Sequence, residues 1–136
     1  MSECIFCKIA NGEIPNEDFI YEDRDFVAFL DFKPINPGHI LVIPKKHYEN
    51  LFVMPDELVT RYILLIKKLA PKVKEALNAR WVNLLVFGEE VKHTHIHIVP
   101  RLDNDNFQYP KQKEYEEGEM KKITKKIKSA LNLFFD

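Results

Sequence analysis

Three histidines alternate with other residues in the segment His93-Thr94-His95-Ile96-His97-Ile98-Val99-Pro100. Side chains of a β-strand alternate between its two faces. The pattern therefore predicts a strand with His93, His95 and His97 on one face, about 7 Å apart. Imidazole titrates near neutral pH and serves as a base, a nucleophile or a metal ligand. A strand face with three such groups predicts a reactive site rather than a merely polar surface.

Two chemical uses of this face compete. One imidazole could attack phosphorus while its neighbours stabilise the developing charge, which divides one hard displacement into two easier ones. Alternatively, the three rings could chelate a zinc ion that activates a water molecule. A third interpretation is a module that binds its ligand without turnover. Cys4 and Cys7 add a second candidate group, for which a metal site, a redox pair and simple burial are all open.

The elements that must position these groups alternate between short strands and helices. An α-helix is predicted to begin at Pro55, and Pro71 is expected to kink or split it. A final helix at about 115–134 has one apolar stripe and a lysine-rich face, which we interpret as solvated. Strands are predicted at 19–23, 26–31, 39–44, 82–87 and 93–100. This order favours an α+β fold, with helices covering one face of a mainly antiparallel sheet.

Size and charge exclude several classes of protein. A chain of 136 residues fits one domain, predicted to span 1–136. The net charge of −1 argues against binding along a nucleic-acid backbone, and no apolar run reaches the roughly 20 residues of a membrane span. The acidic start, Met1-Ser2-Glu3-Cys4, lacks the features of a secretory signal, so we expect a soluble, cytoplasmic protein.

The sequence resembles the histidine triad (HIT) superfamily of nucleotide hydrolases and transferases. The triad segment with Pro100-Arg101 carries the likeness, and further blocks occur in family order. These are Cys4-Ile5-Phe6-Cys7-Lys8-Ile9, Gly12-Glu13-Ile14-Pro15, Tyr21-Glu22-Asp23, Ala28-Phe29-Leu30-Asp31 and Pro37-Gly38-His39-Ile40-Leu41-Val42-Ile43-Pro44-Lys45-Lys46-His47. The resemblance covers about residues 3–101, similar to bacterial and archaeal members of the purine nucleoside phosphoramidase type. Residues 102–136 match no family block and are predicted to be an extension.

The resemblance implies a five-stranded sheet with two main helices, and a homodimer that continues the sheet across both subunits. It implies that His95 is the nucleophile, attacking the α-phosphorus of a purine nucleotide derivative. The substrate would be a nucleoside phosphoramidate or a dinucleoside polyphosphate. His93 and His97 would orient His95 and contact phosphate oxygens, and no catalytic cofactor would be needed. Histidine rather than glutamine at position 97 favours hydrolysis over transfer.

The resemblance also implies a nucleoside pocket with apolar walls and a carboxylate for the ribose hydroxyls. The alternatives are core packing for the apolar residues, turn capping for Asp31 and a satisfied core histidine for His39. The implied nucleotide-binding residues are Ile5, Phe6, Ile9, Phe29, Leu30, Asp31, Phe32, His39, Asn83 and Gly88, the last through its backbone N–H.

A Cys₂His₂ zinc site is implied as well. Cys4, Cys7, His47 and His93 match the ligand set of some bacterial and archaeal members, and four such ligands suit a closed, structural zinc. The alternative is two buried cysteines without a metal.

Two departures from the family pattern concern the substrate. Glu89 and Glu90 stand where glutamine and a hydroxyl residue are usual, and a carboxylate repels phosphate unless it faces away or is protonated. Pro100-Arg101, in contrast, favours tolerance of a polyphosphate. The leaving group is therefore open at this point.

Overall fold

The computed structural model describes residues 4–15 and 19–135. The expected first residue of the family-like segment, residue 3, lies outside these ranges. Helices α1, α2 and α3 span Ile5–Ala10, Asp56–Ala76 and Glu119–Phe135, and a single 3-10 turn occupies Leu51–Val53. The strands are β1 Phe19–Glu22, β2 Phe26–Leu30, β3 Ile40–Pro44, β4 Trp81–Val86 and β5 Ile96–Arg101.

The five strands form one sheet in the order β1-β2-β3-β5-β4. Each neighbouring pair is antiparallel, and the β3–β5 pair brings Leu41 opposite His97. This arrangement confirms the predicted α+β class with a five-stranded antiparallel sheet.

The two faces of the sheet carry separate cores. One face packs against α2, with Val42, Ile96 and Ile98 buried against Tyr62 and Ile66. The opposite face packs against α1, where Phe6 and Ile9 meet Phe29, Leu41 and other residues of β2 and β3. The prediction of helices on one face was therefore incomplete, because α1 covers part of the other. No helix was predicted at 5–10.

Helix α2 runs through Pro71 without the predicted split. Proline in a helix interior costs about 3 kcal/mol, since it removes a backbone hydrogen bond. Pro71 itself is exposed, whereas Ala70 and Val73 beside it are buried against the sheet. Packing of those neighbours offsets the local cost and keeps one continuous helix.

Strand β5 begins at Ile96, three residues later than predicted. The reason is a tertiary tether: the backbone N–H and the hydroxyl of Thr94 both donate to the carbonyl of Tyr48, at 2.8 and 2.9 Å. This tether takes the segment 93–95 out of the ladder. The side-chain alternation still holds from His95 onward, since Ile96 and Ile98 enter the α2 core as expected.

The chain after β5 first folds back and then leaves the sheet. Arg101 is buried and forms a salt bridge with Asp105, and its guanidinium lies 4.4 Å from the ring centre of Phe107. Helix α3 exposes its apolar stripe of Met120, Ile123, Ile127 and Leu131. Among the described residues, no helix combines the length and apolar character needed to cross a membrane.

Candidate active site

A cleft of about 580 Å³ lies on the α1 side of the sheet. Its volume is within the range of small-molecule sites, about 300–1,000 Å³. Helix α1 and strand β2 form one wall, and the loops 31–39 and 87–91 form the rim. The lining residues are Ile5, Phe6, Ile9, Phe29, Asp31, Phe32, Lys33, Ile35, His39, Leu41, Phe87, Glu89, Glu90, Val91, His95 and His97.

The hydrogen bonds of His95 define which of its nitrogens is nucleophilic. Nδ1 lies 2.7 Å from the carbonyl oxygen of His93. Because a carbonyl oxygen only accepts, Nδ1 carries the proton and Nε2 keeps its lone pair. Phe6 contacts the ring edge-on, with 5.1 Å between ring centres. The triad segment thus presents an oriented imidazole to the cleft, with Nδ1 held by the carbonyl of His93.

His97 belongs to a second chain of hydrogen bonds. The backbone N–H of Ile35 donates to Nδ1 of His39 at 3.0 Å, so His39 carries its proton on Nε2. That Nε2 donates to Nδ1 of His97 at 2.8 Å. His97 must then carry its own proton on Nε2. This buried N–H has no partner among the described residues, and the ring lines the cleft.

His39 and His97 are neutral near pH 7. Burial, together with the neighbouring His39 and His95, lowers the pKa of His97 to about 4. Burial also lowers the pKa of His39, although Asp31 opposes the shift. Neutral rings are required for the hydrogen-bond directions above. The N–H of His97 is therefore an uncharged donor, available to a phosphoryl oxygen in the cleft.

His93 does not reach the cleft, contrary to the prediction that it contacts phosphate. Its ring is fully buried, and Nε2 donates to the carbonyl of Pro44 at 2.8 Å. Nδ1 is thereby unprotonated and faces Cys4, Cys7 and His47. Both ring nitrogens of His93 therefore contact groups outside the cleft. His93 acts on His95 only through its carbonyl oxygen.

The predicted metal ligands Cys4, Cys7, His47 and His93 come together in one cluster. The sulfur-to-nitrogen distances are 3.3 Å for Cys4–His93, 3.3 Å for Cys7–His47 and 3.4 Å for Cys7–His93. The two Nδ1 atoms are 3.2 Å apart. Ideal tetrahedral zinc would give about 3.5 Å between sulfur and nitrogen and about 3.3 Å between nitrogens. The cluster therefore fits a four-coordinate zinc ion.

Two further observations agree with this fit. The Nε2–H bond of His93 to Pro44 is the outer contact that typically orients a metal-binding imidazole. Burial and the neighbouring Cys4 raise the pKa of the Cys7 thiol to about 11. Paired thiolates are favoured here only when a cation neutralises them. With four protein ligands, such a site would have no open position for a substrate.

The three triad histidines do not converge on one point. His93 belongs to the cysteine cluster, whereas His97 groups with Asp31 and His39 in a second set of donors. The 2.8 Å contact between His39 and His97 is fully explained by a hydrogen bond. The structure thus gives no support to a catalytic zinc held by the three triad histidines.

The sequence left two roles open for Asp31, turn capping and binding of a ligand, and its position is compatible with both. Its Oδ1 accepts the backbone N–H of Lys33 at 2.9 Å, which caps the turn. Its Oδ2 lies 3.6 Å from Nε2 of His39, and its side chain is 22% exposed on the cleft wall. One carboxylate oxygen can therefore still accept hydrogen bonds from a ligand.

Most residues predicted to bind nucleotide line the cleft, but three do not. Leu30 points to the other face of β2, as strand alternation requires between Phe29 and Asp31. Asn83 pairs with Val99, two residues or about 7 Å beyond His97, and lines a different groove between α2 and β4. Gly88 is not among the lining residues.

Five residues that line the cleft were not predicted from the sequence: Lys33, Ile35, Leu41, Phe87 and Val91. Leu41 could have been found, because strand alternation from His39 puts it on the same face. Phe87 packs against His97 with ring centres 5.4 Å apart, which no local pattern predicts.

Arg101 has a different role from the one predicted. Its Nε lies 3.0 Å from Oδ2 of Asp105, its Nη1 donates to the hydroxyl of Tyr109, and it does not line the cleft. It therefore gives no support to binding of a polyphosphate.

Comparison with known proteins agrees with this geometry. Residues 11–104 match the HIT domain family, which is more than half of the chain. The chain belongs to the HIT family. An uncharacterized HIT-like protein of Methanocaldococcus jannaschii is 47% identical over 106 residues, covering 75% of this chain and 81% of that protein.

Two further relatives carry chemical information in their names. An adenosine 5′-monophosphoramidase of Saccharomyces cerevisiae is 41% identical, over 74% of this chain and 63% of the yeast protein. A zinc-bound histidine triad family protein of Mycobacterium smegmatis has a solved structure with a TM-score of 0.72. It is 31% identical, and the match covers 95% of this chain and 98% of that one. An adenosine 5′-monophosphoramidase and a zinc-bound protein thus both occur among relatives of this HIT protein.

Proposed function

We propose that this HIT protein hydrolyses nucleotidyl substrates at the α-phosphate through a covalent nucleotidyl-His95. The substrate classes are nucleoside phosphoramidates and dinucleoside polyphosphates. One observation carries the proposal: the 2.7 Å hydrogen bond from His95 Nδ1 to the His93 carbonyl. This bond fixes the tautomer in which Nε2 is the nucleophile, on a ring that lines the cleft.

The reaction has two displacements. The lone pair of His95 Nε2 forms a bond to the α-phosphorus, and the bond from phosphorus to the leaving nitrogen or oxygen breaks. A leaving amine takes up a proton from solvent at the cleft mouth. Water then attacks the same phosphorus, the bond to Nε2 breaks, and the mononucleotide is released. The Nε2–H of His97 would donate to a non-bridging phosphoryl oxygen in both steps.

The walls of the cleft support a purine nucleoside as the common part of the substrate. Ile5, Ile9 and Phe29 supply apolar surface for a base, and Asp31 has a carboxylate oxygen that can accept from ribose hydroxyls.

The test is AMP release from adenosine phosphoramidate and from diadenosine tetraphosphate, in excess chelator, by the wild type and the His95→Ala variant. We expect turnover by the wild type and a loss of at least 10³-fold in the variant, because no second nucleophile replaces Nε2. Radiolabelled adenylate should be trapped on the wild-type chain only.

A remote carboxylate variant, Glu75→Gln on α2, is the control and should behave like the wild type. Substantial turnover by His95→Ala would refute the nucleophile. AMP binding without turnover by the wild type would instead favour the alternative, a non-catalytic nucleotide-binding module.

We further propose that the cysteine cluster holds a structural zinc that ties α1 to the triad segment. Four donor atoms that all lie within 4.8 Å of one another support it, and a related HIT protein is zinc-bound. Elemental analysis should find about one zinc per chain, and less than a tenth of an equivalent would contradict the site.

A homodimer through β4 is our proposal for the assembly. Strand β4 lies at one edge of the sheet and exposes Trp81, Leu84 and Val86, beside an apolar groove along α2. An exposed apolar edge strand is suited to pairing with a second copy. Light scattering at micromolar concentration should give twice the chain mass. Leu84→Lys should shift it to a monomer, and a monomeric wild type would refute this interface.

A further inference from the structure

The proposed phosphate site has an unusual balance of charge. Three carboxylates line the cleft, those of Asp31, Glu89 and Glu90, against a single ammonium, that of Lys33. No arginine is among the lining residues of the described chain. Sites that bind several phosphates normally present arginine or lysine side chains to them. This cleft instead suits a substrate that brings little negative charge beyond its α-phosphate.

The loop that carries Glu89 and Glu90 is held against the reacting groups at both of its ends. Phe87 packs on the ring of His97, with 5.4 Å between ring centres. Val91 packs against the α1 core that contains Phe6, the residue in edge contact with His95. The two glutamates therefore line the same cleft as the rings of His95 and His97. Both glutamate side chains are exposed to solvent.

In the proposed function, Asp31 and the apolar part of the lining hold the nucleoside. The leaving group would then extend toward the rim that Glu89 and Glu90 form. A polyphosphate leaving group would place further negative charges against two carboxylates, whereas an ammonium would be attracted to them.

We infer that Glu89 and Glu90 select a leaving group that carries a positive charge, so that the preferred substrates are nucleoside phosphoramidates of amines bearing a second, cationic group. The inference rests on the proposed function and refines its substrate class. It makes the two glutamates specificity-determining residues, and it predicts that dinucleoside polyphosphates are poor substrates.

The experiment compares three adenosine 5′-phosphoramidates of similar size, made from 1,4-diaminobutane, pentylamine and 4-aminobutanoate. Their leaving groups are cationic, neutral and anionic. We expect wild-type kcat/KM to fall roughly tenfold at each step of this series at low salt, as two nearby exposed carboxylates would produce. At 0.5 M KCl the ratios should shrink toward one, because the glutamates are exposed to solvent.

Two double variants isolate the loop. Glu89→Gln/Glu90→Gln should lower the ratio of kcat/KM for the cationic compound to kcat/KM for the anionic one by at least tenfold. It should also raise the relative rate with diadenosine tetraphosphate. Glu57→Gln/Glu75→Gln removes two carboxylates from α2, on the other face of the sheet, and should leave the ratio as in the wild type.

The His95→Ala variant should bind the phosphoramidates without cleaving them. Titration calorimetry with this variant therefore compares the binding constants of the cationic and the anionic compound. Equal ratios for the wild type and the loop variant, with turnover present, would overturn the inference and leave the proposed function standing. If no compound is turned over, the proposed function fails, and the ratio of binding constants still decides the inference.

Discussion

Protonation of His97 should destabilise the fold, because its Nδ1 must accept a hydrogen bond from His39. The pKa of His97 is about 4 in the folded chain and about 6.5 in an unfolded one. As pH falls, the unfolded chain binds the proton first. The stabilisation is therefore fully present above pH 6.5 and is lost as pH falls toward 4.

The magnitude follows from the gap between the two values. At about 1.4 kcal/mol for each pH unit, the gap would remove roughly 2.5 kcal/mol of unfolding free energy between pH 7.5 and 4.5. His97 is only partly buried, and solvent screening lowers this figure to about 1.3 kcal/mol. Glutamine at this position does not titrate and can still accept a hydrogen bond from His39. The His97→Gln variant should therefore lose about 1.3 kcal/mol less unfolding free energy between pH 7.5 and 4.5 than the wild type does.

Urea unfolding of the wild type and of His97→Gln at both pH values measures the difference. The cysteine cluster is the same in both proteins, so its own acid sensitivity cancels. Tyr62→Phe, which keeps His97, is a matched control and should lose as much stability in acid as the wild type. Equal acid loss in His97→Gln and the wild type would refute the reasoning, as would a His97 pKa near 6.5 by NMR titration.

Three further predictions concern the fold and the metal cluster. Gly38 has φ +89°, and a Cβ there would collide with Leu77, so Gly38→Ala should cost about 2 kcal/mol in chemical denaturation, partly relieved by Leu77→Ala. A cost near zero would contradict this contact. Tyr62→Phe removes a buried hydroxyl that donates to the Val42 carbonyl and should cost about 1 kcal/mol. Cys7→Ser should lower zinc content by elemental analysis and lower Tm. An unchanged Tm after complete zinc loss would contradict a structural role.

Local patterns in the sequence were sufficient for the architecture. Alternation in strands and the helical spacing after Pro55 depend only on neighbouring residues, and they predicted the α+β class and five strands near their observed positions. The resemblance to the HIT family gave His95 as the expected nucleophile, and it named the four residues that form the cysteine–histidine cluster.

Tertiary contacts decided the directions of the histidine side chains. The strand pattern treated His93, His95 and His97 as equivalent, yet the tether of Thr94 to Tyr48 releases His93 from the ladder. Its ring then turns toward the cysteines. Which nitrogen of the His93 ring and of the His97 ring carries the proton depends on groups from distant segments, namely Pro44 and His39.

The charge of the cleft also emerged only from the fold. Glu89 and Glu90 are distant in sequence from Asp31 and Lys33, and packing of Phe87 on His97 brings the loop to the same cleft. The spacing of apolar residues along the sequence predicts which segments bury one face. Local spacing does not predict which charged side chains meet across 50 or more residues, because that depends on how the sheet and its loops pack together.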